Sequence, residues 1–288
     1  MSGDVDRIVS ENDRLTKEVR RLEERVAAVE SSRWWRLHPR VALQRLRGTA
    51  RNGAEVEHPR DTHTFPLDFD EVDVELCRRV APYTMTTPPR IYALTRAVEY
   101  ITARQVPGAI VECGVWRGGS MMAVALTLLR LGVTDRELHL FDTFAGMTAP
   151  TDEDVRRSGE HAADLLLRDA PDSDIWAVAS LEDVRNAVLG LGYPSERIHF
   201  VQGRVEETLP ANAPGKIALL RLDTDWYAST KHELEHLYPL LERDGVLILD
   251  DYGYWQGARR AVDEYIAEND VRLLLNRIDN TARIALKP

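Results

Sequence analysis

Two short segments concentrate carboxylates where a metal ion can be held: RLDTDWY carries Asp223 and Asp225, and LILDDYG carries Asp250 and Asp251. Each pair follows an apolar run that reads as a strand, so the four acids are expected at the exits of neighbouring strands. Gathered on one edge, four carboxylates repel unless a cation neutralises them, and an oxygen-only ligand set suits Mg²⁺ or a similar hard divalent ion. Turn or capping roles for one or two of the acids are the alternative. A third segment, VECGVWRGGS, runs from an apolar strand into Gly114, Gly118 and Gly119 and then a helix near Ser120. Glycines at such a turn let a ligand approach the backbone and the amides of a helix N-terminus. The spacing is not G-x-G-x-x-G and no Gly-Lys-Ser/Thr follows, so neither a nicotinamide dinucleotide nor a nucleoside triphosphate is supported. Asp142 ends the next strand, 28 residues after Gly114, where a carboxylate accepts both hydroxyls of a ribose. A nucleoside-bearing cofactor is therefore expected, with a turn or helix-capping role as the alternative for Asp142.

The elements that must position these residues alternate as an open parallel sheet requires. Helices are predicted over 91–104, 119–132, 180–192, 229–241 and 258–268, and strands over 109–115, 137–142, 197–203, 217–223 and 245–250. Ser180 is the expected N-cap of its helix, with Asp183 three residues on, and Gly132 the expected stop of another. RLLLNRI and ARIALKP, separated by Asp279-Asn280-Thr281, read as an antiparallel hairpin. The fold class expected is α/β, a doubly wound, mostly parallel sheet with ligands at the carboxyl ends of its strands. A polar insertion from Thr148 to Asp174 interrupts the alternation, either as a lid over the strand-end site or as a solvated surface helix. Trp176, Trp226, Tyr252, Tyr254 and Trp255 fall near strand ends, where flat rings suit either apolar sugar faces or core packing.

Three regions are predicted: a coiled coil over 1–30, a basic amphipathic segment and linker over 31–67, and a catalytic domain over 68–288. Val5, Asn12, Val19 and Val26 fall at heptad position a, and Ile8, Leu15, Leu22 and Val29 at d. This pattern favours a parallel homodimer registered by Asn12, against the plainer reading of a single solvated helix. Residues 31–54 hold six arginines and no acid, interleaved with Trp34, Trp35 and aliphatics. Such a segment suits an anionic membrane surface, an acidic partner, or folding back on its own domain.

The net charge of −10 argues against nucleic-acid binding, and the acidity belongs to the larger domain: residues 1–60 hold 13 basic and 10 acidic side chains. No run is long and apolar enough to span a bilayer, and the acidic N-terminus lacks the features of a signal peptide, so a cytoplasmic location is expected. Cys77 and Cys113 are too few for a disulfide framework and are read as free thiols.

YTMTTPPRIYALTRAVEYI, VECGVWRGGSMM, FDTFAGM, GYPSERIHFVQGRVEETLP, LRLDTDWYASTKHELEHLYPLL and LDDYGYWQGARRAVDEY together resemble the macrocin O-methyltransferase family over about residues 75–288. The resemblance implies a Rossmann-like class I methyltransferase that uses S-adenosylmethionine and Mg²⁺ to methylate a sugar hydroxyl of a glycan, glycan precursor or glycosylated natural product. It further implies that Thr84, Met85, Thr86, Glu112, Gly114, Gly118, Gly119, Ser120, Asp142 and Gly203 hold the cofactor. Asp223, Asp250 and Asp251 would hold the metal, with Asp223 and Asp225 at the chemical step and Asp225 the candidate base. Relatives commonly have Gly-Asp where this chain has Gly203-Arg204. His139 and His161 are lesser candidates for proton transfer. Two alternatives stay open: methylation of a glycosylated natural product or phenol, and an assembly subunit with a vestigial catalytic domain.

Overall fold

A computed structural model describes residues 65–170 and 173–288. The predicted coiled coil over 1–30 and the basic segment and most of the linker over 31–67 lie outside the described residues. The first described helix, α1 (Glu71–Val80), falls where no helix was anticipated. Its start is a reciprocal box: Asp70 accepts from the Asp73 amide at 2.9 Å, and Asp73 accepts from the Asp70 amide at 3.3 Å. The chain continues through α2 (Pro88–Ala103), β1 (Ala109–Cys113), α3 (Gly119–Arg130) and β2 (Leu138–Asp142). After a short helix α4 (Ala162–Arg168) come α5 (Leu181–Leu189), β3 (Ile198–Gln202), a single turn α6 (Val205–Thr208) and β4 (Ile217–Leu222). The last elements are α7 (Tyr227–Leu237), β5 (Leu241–Leu249), α8 (Gln256–Glu268), β6 (Asn276–Arg277) and β7 (Arg283–Leu286).

The seven strands form one sheet in the order β3-β2-β1-β4-β5-β7-β6, parallel from β3 to β5 and antiparallel at β7 and β6. The doubly wound fold and its closing hairpin are as expected, although β6 keeps only two residues of RLLLNRI. Period-2 alternation divides the sheet between two apolar cores. Ile110, Leu138, Leu140, Leu219 and Ile248 pack under α2, α3 and α5 through Ile91, Leu94, Val98, Val124, Leu128 and Val184. Val111, Cys113, Phe141, Leu220, Leu222, Leu247 and Leu249 pack under α7 and α8 through Leu234, Leu237, Val262 and Tyr265. Both cysteines are buried and free.

Local signals explain the helix boundaries. Ser180 caps α5 by accepting from the Asp183 amide at 3.1 Å. Gly132, in the left-handed region at φ 71°, donates to Leu129 at 3.0 Å and closes α3. Gly118 enters α3 at φ 90°. Gly119 has another reason to lack a side chain: a Cβ there would stand 2.6 Å from the Tyr83 carbonyl oxygen. That close approach holds the 84–86 segment against the start of α3. Among the described residues, no helix is long and apolar enough to cross a membrane.

Candidate active site at the strand ends

Parallel register sets the site. Cys113, Leu222 and Leu249 are cross-strand neighbours on β1, β4 and β5, so the residues that follow them emerge side by side. The ladder persists one step beyond the strands, with the Asp223 amide donating to Cys113 at 2.9 Å and the Asp250 amide to Leu222 at 3.0 Å. Gly114, Asp223 and Asp250 therefore share one edge. Gly114, at φ 81°, carries no Cβ because one would overlap the Asp223 carbonyl oxygen.

Oxygens of Asp223, Asp250 and Asp251 lie within 4.8 Å of one another, so the structure gathers the three expected metal ligands. It also supplies two cations that the sequence reading missed. Arg221 precedes Asp223 by two residues on the same face of β4, opposite Glu112 of β1. Its guanidinium, 3% exposed, pairs with Glu112, with Asp223 at 2.8 Å and with Asp250 at 2.6 Å. Arg90, in the first turn of α2, pairs with the other oxygen of Asp250 and donates through Nε to Asp279 at 2.7 Å and through Nη2 to Thr281. The expectation that only a bound cation offsets the four acids is thus corrected: two guanidiniums do part of it. Five carboxyls, those of Glu112, Asp223, Asp225, Asp250 and Asp251, still face two arginines.

Titration behaviour reflects this excess. Burial pushes the Asp223 and Asp251 carboxyls well above the usual range, and neighbouring acids push them further, against the pull of Arg221 on Asp223 and Arg90 on Asp251. Burial raises Asp225 to about 6, opposed by its hydrogen bonds. Glu112 is raised to about 7 because desolvation outweighs the attraction of Arg221. These oxygen-only donors, Asp250 buried and Asp223 and Asp251 half-buried, are short of positive charge and fit a hard divalent ion.

Asp225 sits in the turn between β4 and α7 at φ 65°, a left-handed conformation unusual for a residue with a side chain. Two bonds hold it there: Trp255 Nε1 donates to Asp225 Oδ1 at 2.6 Å, and the Asp225 amide donates to Asp251 Oδ2 at 3.2 Å. The carboxylate is thereby fixed beside the three-acid cluster.

A cavity of ≈ 420 Å³ opens beside these acids. Thr84, Met85, Thr86, Gly114, Ser120, Asp142 and Gly203 line it, as do Asp223, Asp225, Asp250 and Asp251. Glu112, Gly118 and Gly119 do not. Glu112 lies beneath the floor, 1% exposed, and the two glycines shape the turn and the start of α3. Asp142 does double duty. Its Oδ2 accepts from the amides of Val115 at 2.6 Å and Trp116 at 3.0 Å, and its Oδ1 from Phe144 at 2.7 Å. It therefore anchors the β1–α3 turn, and Oδ1, whose second contact is the long 3.4 Å bond from the Thr143 hydroxyl, can exchange that contact for a ligand hydroxyl in the cavity. The size of the cavity, the hydroxyls of Thr84 and Ser120 and this carboxylate fit a ribose-bearing cofactor. Asp142→Ala should weaken binding of such a cofactor by about 2–3 kcal/mol, read by calorimetry.

The insertion contributes Thr148 and Arg156 to the cavity lining and packs its helix behind the cavity wall. Ala162, Leu165 and Leu166 of α4 pack with Met147 and Ile175 on Trp226, Trp255 and Ala258. Burying each leucine contributes about 1.5–3 kcal/mol, which decides against a solvated helix. Asp154, fully buried, accepts from the Tyr227 amide at 2.7 Å and so serves the first turn of α7 from outside it. The Gln256 amide donates to Val155 at 2.8 Å, and the Arg157 amide to Tyr254 at 2.9 Å. Trp226, Tyr254 and Trp255 line the cavity wall, whereas Tyr252 turns to Asp263. His139 stacks on His199 in the sheet and His161 precedes α4, and neither reaches the cavity. Arg221 had a signal in the sequence, a charge amid the apolar run IALLRLD; Arg90 and Asp154 had none.

The profile of the macrocin-O-methyltransferase (TylF) family matches residues 41–285. The chain is 35% identical, over 76% of its length and 82% of the relative's, to the 8-demethyl-8-(2,3-dimethoxy-alpha-L-rhamnosyl)-tetracenomycin-C 4'-O-methyltransferase of Streptomyces olivaceus. It is 32% identical, over 71% of its length and 80% of the relative's, to the mycinamicin III 3''-O-methyltransferase of Micromonospora griseorubida. Among solved structures, the O-methyltransferase NovP superposes with a TM-score of 0.62 at 32% identity, covering 71% of this chain and 82% of NovP.

Proposed function

The chain belongs to the macrocin O-methyltransferase family, and from that premise we propose that it methylates a sugar hydroxyl, with a divalent cation held by Asp223, Asp250 and Asp251. The convergence of those three carboxylates beside Asp225, on the wall of the cavity, carries this reading. S-adenosylmethionine, the methyl donor of this fold class, presents its methyl group to an oxygen nucleophile as part of a sulfonium. A divalent cation at the three acids is a Lewis acid that lowers the pKa of a bound hydroxyl.

The chain's own residues do the rest. Thr84, Ser120, Asp142 and Gly203 line the cavity and would hold the cofactor in the same cavity as the acids at the β4 and β5 exits. The Asp225 carboxylate takes the proton from the acceptor hydroxyl, and Trp255 holds that carboxylate in line. The Tyr254 ring, 38% exposed, offers flat apolar surface to a sugar, with Trp226 and Trp255 buried behind it and braced by α4. The relatives' sugar-bearing acceptors point the same way. A vestigial domain is not favoured, since every acid of the strand-end cluster is present.

The test offers labelled S-adenosylmethionine with a glycosylated acceptor and with its aglycone. Methyl transfer to the glycoside alone, lost in EDTA and restored by Mg²⁺, is expected. Equal transfer to the aglycone would refute the sugar reading, and full activity in EDTA the metal reading. Trp255→Phe keeps a ring but removes the indole donor to Asp225. A charge-assisted bond of this kind is worth about 1.5–3 kcal/mol, so kcat should fall about 10- to 100-fold while cofactor affinity is unchanged.

The heptads over 1–30 support a homo-oligomer. Deleting them should lower the mass measured by light scattering and leave methyl transfer to a small acceptor intact.

A further inference from the structure

Away from the cavity, α7 carries a second group of metal-ligating side chains. His232, Glu235 and His236 stand at i, i+3 and i+4, a spacing that places them on one helix face. One ligand atom from each lies within 4.8 Å of the other two. The imidazole rings meet edge to face with centroids 4.3 Å apart. His232 Nε2 is buried and has no hydrogen-bond partner among the described residues. A buried ring nitrogen left without a partner is uncommon and calls for an explanation.

We propose that His232, Glu235 and His236 form a binding site for a borderline divalent transition-metal ion, with Zn²⁺ the leading candidate, separate from the carboxylate cluster. Two imidazoles and a carboxylate are the donor set that takes Zn²⁺, Ni²⁺ or Cu²⁺ in preference to Mg²⁺. Asp223, Asp250 and Asp251 offer oxygen alone and suit the harder ion. With bonds of about 2.0–2.2 Å, tetrahedral ligand atoms stand about 3.3–3.5 Å apart. Rotation of the exposed Glu235 and half-buried His236 side chains closes that gap while the helix backbone stays in place. The fourth position is left to water. Because α7 begins two residues after Asp225, an ion bridging its central turns stiffens the helix that carries the catalytic turn.

The experiment uses the full chain, stripped of metal and then held in excess Mg²⁺, with Zn²⁺ as the probe. One equivalent should bind by calorimetry and raise the melting temperature, because a ligand of the folded state alone stabilises it. His236→Ala and Glu235→Gln should each weaken Zn²⁺ at that site by about tenfold or more and abolish most of the thermal shift, leaving Mg²⁺-supported methyl transfer unchanged. Cu²⁺ at the same site should show nitrogen hyperfine splitting from two imidazoles in the original chain and from one in His236→Ala. This comparison separates the site from the other histidines. Unchanged Zn²⁺ affinity and an unchanged Cu²⁺ spectrum in His236→Ala would overturn the proposal. Loss of Zn²⁺ binding in Asp251→Asn, with retention in His236→Ala, would place the ion among the carboxylates and overturn it equally. Neither result would touch the methyl-transfer reading, which is measured in Mg²⁺.

Discussion

Asp251→Asn should abolish Mg²⁺-dependent methyl transfer, by about a thousandfold or more, while the protein melts near its original temperature and binds S-adenosylmethionine as before. Losing about 4 kcal/mol of transition-state stabilisation is a factor of this size. Asp251 is the cleaner probe because, among the described residues, it forms no ion pair with an arginine, and its Oδ2 accepts from the Asp225 amide at 3.2 Å, a bond an Asn oxygen can keep. Asp250 is a poor probe. Both of its oxygens are engaged by guanidiniums, so Asp250→Asn would weaken one ion pair of each of two arginines along with the metal site. Measured together, the pair separates chemistry from architecture: Asp251→Asn inactive and stable, Asp250→Asn inactive and destabilised. An active Asp251→Asn enzyme would remove this residue from the metal site.

Arg221→Leu should destabilise the chain by about 3–5 kcal/mol, the cost of leaving buried carboxylates without their cation. Glu112 is 1% exposed and has no other cation described beside it, and Asp250 would retain Arg90 alone. The double substitution Arg221→Leu with Glu112→Leu should recover much of the loss, because two apolar side chains of similar volume replace a buried ion pair at little cost. Denaturant titration of the single and double variants measures the coupling. A single variant within about 0.5 kcal/mol of the original would mean that Arg221 is not the counter-ion the geometry makes it.

Much of this site was legible because strands repeat with a period of two and parallel strands share a carboxyl edge. Given β1, β4 and β5, Gly114, Asp223 and Asp250 had to meet, and no long-range information was needed. Ser180 and Gly132 were legible for the same local reason, since capping is decided within a few residues. Arg90 was not, because its partners Asp279 and Thr281 come from a turn 189 and 191 residues away. Asp154 was hidden likewise: in sequence it is one acid in a polar stretch, and only folding brings it to the Tyr227 amide. The insertion left a lid and a solvated helix both open because its apolar residues are few, and Leu165 and Leu166 suffice only because two tryptophans lie beneath them. Glu112 illustrates a different limit. Resemblance placed it against the cofactor, whereas the register sets it opposite Arg221, one layer below the cavity. Helix α1 was overlooked because Asp70 and Asp73 form a box from two acids, a less familiar signature than Ser with Glu.

The grip of Asp279 and Thr281 on Arg90 has a consequence for synthesis. During translation α2 and β1 leave the ribosome long before the 276–286 hairpin exists. Until that hairpin pairs with β5, Arg90 has neither anchor, and the acids of the site face one cation fewer. A nascent chain arrested after α8 can thus hold most of its helices and still lack a finished pocket. The anchored form of Arg90 waits on the emergence of the β6–β7 turn.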